Sequence, residues 1–182
     1  MRKIVLGVAV SLDGYIEGPN GEYDWCFTDQ DYGLSDFYKR IDAIFIGRRS
    51  YELMLSLGED AVPGMPKFTE YVLSNSLTQV KEGATLIKGD ILPQIQKILN
   101  EPGKDIWLFG GASLLTSLLN AGLVDEVWLS VHPIVLGSGK PLFENLSRRI
   151  KLQLLHSKIY NTGLVSLTYQ LERTASAVKS KT

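Results

Sequence analysis

A chain of 182 residues is long enough for one domain with a sizeable core. Apolar residues make up 45% and charged residues 21%, mean hydropathy is +0.03 and the formal net charge is −1. That balance is ordinary for a globular protein, and it lacks the basic footprint of a nucleic-acid binder or a polybasic membrane patch. A single cysteine, Cys26, excludes an internal disulfide and fits a reducing compartment. With no signal-peptide pattern and no apolar run of ~18 residues, the expected location is cytoplasmic, with no membrane partner.

In chain order, Ile4 to Val10 is an almost unbroken apolar, β-rich run of the kind covered on both faces of a sheet. Ser11-Leu12-Asp13-Gly14-Tyr15-Ile16 breaks it. From Glu17 to Trp25, Gly18-Pro19-Asn20-Gly21 predicts a loop, and a loop leaving a central strand is a common place for binding and catalysis. Leu34, Phe37, Tyr38 and Ile41 recur at i, i+3, i+4 and i+7, predicting a helix from about Asp31 to Arg40. Ala43 to Ile46 is a short buried strand ending in Gly47-Arg48-Arg49-Ser50-Tyr51-Glu52, with a helix carrying Leu53, Met54 and Leu57 behind it.

Residues 58–67 read as a surface loop, Phe68 to Leu73 as a strand closed by Ser74-Asn75-Ser76, and Thr85 to Ile87 as another. Asp90 is placed to cap a helix through Leu99, with Pro93 in its first turn. Ile106 to Phe109 is a strand, Gly110-Gly111 a tight turn, and Leu114, Leu115, Leu118 and Leu119 a helix that Gly122 stops. Val124 to Val135 reads as one long strand interrupted near His132-Pro133, and Lys151–Tyr160 with Leu164–Leu171 as a hairpin around Asn161-Thr162-Gly163. Alternating strands and helices followed by strands alone predict a mainly parallel sheet with an antiparallel edge in one domain, 1–172, and a frayed tail over 173–182.

The separated His132 and His156 and the lone Cys26 give no metal-ligand spacing, so no metal is expected. No serine sits in a G-x-S-x-G elbow. What remains is three strand-end turns suited to phosphate: Gly47-Arg48, Ser74-Asn75 and Gly110-Gly111. Backbone N–H groups at a helix start attract anions, and a guanidinium grips phosphate with paired donors. Each feature also has a plain structural reading as a packed turn or a solvated arginine.

Taken together, Ser11-Leu12-Asp13-Gly14-Tyr15-Ile16, Gly47-Arg48-Arg49-Ser50-Tyr51-Glu52, Leu73-Ser74-Asn75, Phe109-Gly110-Gly111-Ala112 and Val135-Leu136-Gly137-Ser138-Gly139 resemble the dihydrofolate reductase superfamily, in its RibD C-terminal-like branch. The resemblance covers about residues 2 to 171. It implies a three-layer α/β fold with a central sheet of about eight strands flanked by helices, a homodimer, and hydride transfer from NADPH to a small heterocycle. That substrate would be pyrimidine- or pteridine-like, as in the 5-amino-6-(5-phosphoribosylamino)uracil reductase of riboflavin biosynthesis. Dihydrofolate reductase activity and a non-catalytic NADP-binding role are the alternatives.

By motif match, Ala9 and Ile16 would line the nicotinamide, and Gly47, Arg48 and Ser50 the phosphates. Leu73, Ser74 and Asn75 would meet the adenosine end, and Gly110, Gly111, Ala112, Ser113 and Leu114 the pyrophosphate, through a glycine pair that often holds a cis peptide in the family. Asp13, Asp31 and Ser130 are the candidates for catalysis, Asp13 equally readable as a turn-stabilising residue. Trp25 and Tyr51 are candidates to stack on a flat substrate, or else core.

Overall fold

The computed structural model describes residues 1–58 and 64–172, so the expected 173–182 tail and part of the 58–67 loop lie outside the described residues. Its backbone is a sheet of eight strands between two layers of helices. In chain order the elements are β1 (Ile4–Ser11), β2 (Tyr15–Glu17), α1 (Leu34–Arg40), β3 (Ile41–Gly47), α2 (Arg48–Leu57), β4 (Thr69–Leu73) and β5 (Ala84–Ile87). There follow α3 (Ile91–Asn100), β6 (Asp105–Gly110), α4 (Ala112–Asn120), β7 (Glu126–His132), β8 (Lys140–Pro141), β9 (Leu152–Ile159) and β10 (Val165–Leu171).

The order in the sheet is β5-β4-β3-β6-β1-β7-β10-β9. The first six strands run parallel, and β10 then pairs antiparallel with both β7 and β9. The apolar runs predict this burial. Ile4, Val5, Ile44, Phe45, Ile46, Ile106 and Leu108 are at most 1% exposed, as parallel strands covered on both faces require. On one face Leu6, Phe45 and Leu108 pack with Ile95, Leu115 and Leu118 from α3 and α4. On the other, Val5, Ile44, Ile46 and Trp107 pack with Phe37 of α1 and Tyr51 of α2. Gly7 makes this second layer possible, because a Cβ there would lie 3.0 Å from both Phe37 and Trp107. The Trp107 indole N–H donates to the Gly7 carbonyl at 2.9 Å.

Several boundaries differ from the sequence reading. Helix α1 begins at Leu34 rather than near Asp31, because Tyr32 and Gly33 take positive φ values of 49° and 94°. Pro133 and the bend behind it end β7 at His132. In α2, Leu53 and Leu57 lie outside the core at 46% and 50% exposure, and Tyr51 is its buried residue. The short pair β2–β8, which periodicity did not reveal, ties the chain after β1 to the segment after Gly139. Among the described residues no helix is long and apolar enough to cross a membrane.

Candidate active site

Because β3, β4, β6, β1 and β7 are parallel, their carboxyl ends open on one edge of the sheet, where ligands of open α/β folds sit. Two helices start there side by side. Gly47 precedes α2 and Gly111 precedes α4, and neither helix start has a side-chain cap or an acidic residue in its first turn. The other two helix starts are occupied. Asp90 caps α3 through the Leu92 N–H, and Asp31 accepts the Ser35 N–H beside α1 at 2.8 Å. The free N–H groups of α2 and α4 therefore form one anion-attracting cradle.

The glycines let the two turns touch. A Cβ on Gly47 would meet the Gly110 carbonyl at 3.5 Å, and one on Gly110 would meet Ser50 Oγ at 2.9 Å. Gly111 holds φ 102° and ψ 98°, a conformation that favours glycine. The Gly110–Gly111 peptide is trans, correcting the cis bond that the resemblance implied. Ala112 and Leu114 are buried under this turn, whereas Ser113 is exposed.

Beside the cradle, Arg48 Nη1 donates to Ser76 Oγ at 3.0 Å, and Ser74 Oγ lies 3.2 Å from Ser76 Oγ. Ser74 Oγ also accepts the Ser76 and Leu77 N–H groups, and Asn75 Oδ1 accepts the Gly89 N–H at 2.8 Å. Lys88 donates to the Leu77 carbonyl, which brings an ammonium to the same turn. Leu73 is buried below. Ser76 and Lys88 were not singled out in the sequence. Lys88-Gly89 follows β5 as a strand-end pair of cation and glycine, in the reverse order of Gly47-Arg48, and that was the available signal.

Both candidate acids are held in hydrogen bonds. Ser11 Oγ donates to Asp13 at 2.6 Å, and the Leu136 and Gly137 N–H groups donate to its two oxygens at 3.1 and 2.7 Å. These bonds, that of Ser11 foremost, hold Asp13 below the ordinary carboxylate value. Asp13 thus staples the β1–β2 turn to the 134–139 loop. Asp31 accepts from the Ser35 N–H and hydroxyl and from the Gly33 N–H, and the Ser35 bonds likewise lower its pKa. In the structure Asp31 caps the start of α1. We expect Asp31→Ala to destabilise the fold by about 1 kcal/mol, as loss of a cap does. Its turnover should stay unchanged, read as a lowered Tm with an intact kcat.

Tyr51 takes the core alternative of its two readings at 3% exposure, packed in the α1/α2 layer, with its hydroxyl accepting the Lys81 N–H at 2.7 Å. Ser130 lies on β7 opposite Ala9 of β1, on the same side of the sheet as Trp128. Phe37, Tyr38, Phe68, Trp107, Phe109 and Trp128 form a continuous set of ring contacts on that side. Gly33 precedes α1 on this side, and a Cβ on it would lie 3.5 Å from the Tyr160 hydroxyl and 3.7 Å from Trp128. Ile16 packs beneath, against the α3/α4 layer, and Trp25 lies edge-on to His132. Burial pushes the Cys26 thiol up to about 11, so it is no ready nucleophile.

The fold is that of a dihydrofolate-reductase-like α/β protein, with two uncapped helix starts at its strand ends. The model of the RibD C-terminal domain matches residues 2–166, and the chain belongs to that family. It is 44% identical over 179 residues to the uncharacterized protein YyaP of Bacillus subtilis (strain 168), covering 92% of this chain and 94% of that one. Among solved structures it is similar to a putative riboflavin biosynthesis protein from Shewanella sp. PV-4, at 31% identity and TM-score 0.81, over 95% of this chain and 100% of that one.

Two more distant structures share the fold. One is the Thermotoga maritima diaminohydroxyphosphoribosylaminopyrimidine deaminase/5-amino-6-(5-phosphoribosylamino)uracil reductase, at 13% identity and TM-score 0.71, over 93% of this chain and 56% of that one. The other is the dihydrofolate reductase of Enterococcus faecalis complexed with NADP(H), at 17% identity and TM-score 0.67, over 93% and 96%.

Proposed function

We propose that the chain is an NADPH-dependent reductase that delivers a hydride to a C=N or C=O bond of a small pyrimidine- or pteridine-like heterocycle. The observation that carries this reading is the pair of uncapped helix starts at Gly47 and Gly111, with Arg48, Ser74 and Ser76 beside them. The donor set fits a dinucleotide: backbone N–H groups of α2 and α4 for the pyrophosphate, and Arg48 with two hydroxyls for a 2′-phosphate. A bound nicotinamide would supply the hydride.

The chain's own part is to orient and to protonate. Ala9 and Ile16 would border the nicotinamide end, and the aromatic set around Trp107 and Trp128 would flank a flat ring. With Asp13 and Asp31 engaged in backbone hydrogen bonds, the hydroxyls of Ser130 and Tyr160 remain to hold or pass the proton on this side. Oxidation of NADPH, followed at 340 nm with a panel of pyrimidines and pterins, tests the reading. Turnover with at least one acceptor is expected. Binding without turnover of any would favour the non-catalytic NADP-binding alternative.

A second copy of the chain belongs to the same proposal. Within residues 124–135, β7 lies between β1 and β10 and offers no free edge, whereas Val135 beyond it is 66% exposed. The exposed apolar surface is the edge strand β9. Leu152, Leu154 and Ile159 are 40, 51 and 78% exposed, and their pairing places them on the same face as Leu171, Tyr169 and Val165. A free edge matches itself about a twofold axis, and β9 carries one charged residue, Lys158, to discourage pairing. Light scattering should report a dimer for the wild type and a monomer for Leu154→Glu. A monomeric wild type would end this part of the proposal.

A further inference from the structure

His132 closes β7 and is 3% exposed, yet it is placed in no role by the reading above. Its Nδ1 lies 2.9 Å from the Ser130 carbonyl, and its Nε2 lies 3.1 Å from the Phe27 N–H. A carbonyl can only accept and an amide N–H can only donate. One neutral tautomer satisfies both, with the proton on Nδ1 and a bare Nε2. The ring also sits between two aromatics: Trp25 meets it edge-on at 5.3 Å and 83°, and Phe27 at 5.1 Å.

The stretch that His132 holds has little else to fix it. The other hydrogen bonds of residues 23–28 are local, from Cys26 N–H to the Tyr23 carbonyl and from the Trp25 indole to the Glu22 carbonyl. Among the described residues, the Phe27–His132 bond is the hydrogen bond that joins residues 23–28 to the sheet. Further along, Gln30 and Tyr32 are tied separately to Asn161 and Thr162 of the β9–β10 turn.

We propose that His132 is a positioning residue whose neutral ring seats the Trp25–Phe27 segment on the strand ends, and whose protonation unseats it. A proton on Nε2 turns the acceptor into a donor facing another donor, and it places a charge in a site that water does not reach. Burial holds the ring's pKa below the ordinary 6.5, against the opposing pull of the Ser130 carbonyl. The neutral form is therefore the one the folded site prefers. Seating is complete above pH 6.5 and weakens as pH falls below it, towards the lowered value. The neighbouring ionisable groups are Asp24, Cys26 and Asp29 on the segment and Asp13 after β1, whereas β10, the 133–139 loop and the 160–164 turn carry no charged residue.

The inference stands apart from the dinucleotide reading, and its test needs no cofactor. The protection factor of the Phe27 amide against hydrogen exchange is measured from pH 8 down, with the His132 ring nitrogens followed by NMR in the same samples. At pH 8 the Nδ1–H tautomer and a protected amide are expected. Protection should fall by about tenfold or more as the ring takes up its proton. His132→Gln, which offers an uncharged acceptor near the place of Nε2, should keep the amide protected with no pH break. His132→Phe keeps a ring but no acceptor, and should lose protection at every pH. Phe27 protection that ignores the titration of the ring, or a ring that stays neutral until the chain unfolds, would overturn the proposal. The wild-type series and the glutamine variant decide it whether or not the phenylalanine variant folds.

Discussion

Arg48→Ala is expected to weaken NADPH binding by roughly 10- to 100-fold and NADH binding by no more than about threefold. A hydrogen bond to a charged group contributes about 1.5–3 kcal/mol, which converts to that range of affinity. The arginine's present partners are a serine hydroxyl at 3.0 Å and a loose pair with Glu52 at 3.6 Å, with both side chains of that pair over 40% exposed. Such a contact holds the guanidinium weakly, so little is lost when it turns to a 2′-phosphate. The check is a fluorescence titration of both dinucleotides on both proteins. Equal losses for NADPH and NADH would remove Arg48 from the 2′-phosphate role.

Gly111→Ala is expected to damage both the fold and the cradle. A non-glycine residue forced to φ 102° costs about 1–3 kcal/mol. The new Cβ would lie in ordinary contact with Gly47 Cα at 3.4 Å, so the strain comes from the backbone conformation, and the methyl fills the space between the two turns. For a chain of this size we expect Tm to fall by roughly 2–10 °C. Dinucleotide affinity should drop by more than about tenfold, because the α4 N–H groups would be displaced from the pyrophosphate. Gly137→Ala is the control. Its φ is also positive, at 75°, but nothing lies within 4 Å of the added Cβ. It should lose stability while dinucleotide affinity stays unchanged. If Gly111→Ala binds as tightly as Gly137→Ala, close approach at the glycine pair is not what makes the site.

The fold was legible where burial imposes a pattern. Runs such as Ile4–Val10 and Ile106–Phe109 are apolar because they are covered on both faces, and the strand-end glycines stand where backbones approach each other. The cradle was therefore readable as Gly47, Gly110 and Gly111, and its neighbour as Arg48 and Ser74. Tertiary facts were not readable. Asp31 and an acid of the active site look alike in sequence, and only the Ser35 and Gly33 N–H groups identify it as a cap. Tyr51 at a helix start reads equally as a stacking ring or as core, and its packing at 3% exposure is visible only in the fold. Ser76 and Lys88 join the site because the β4 and β5 strand ends lie side by side, a register no local signal encodes. The interior place of β7 was hidden for the same reason: an apolar strand reads alike whether another strand or another molecule covers it.

The central claim is that the paired helix starts hold a phosphorylated dinucleotide. The most direct test is titration of the purified protein with NADPH and with NADH, followed by the quenching of tryptophan fluorescence. The account predicts micromolar binding of NADPH and weaker binding of NADH by about tenfold or more, in line with the contribution of a charged hydrogen bond. Binding of neither dinucleotide would contradict it.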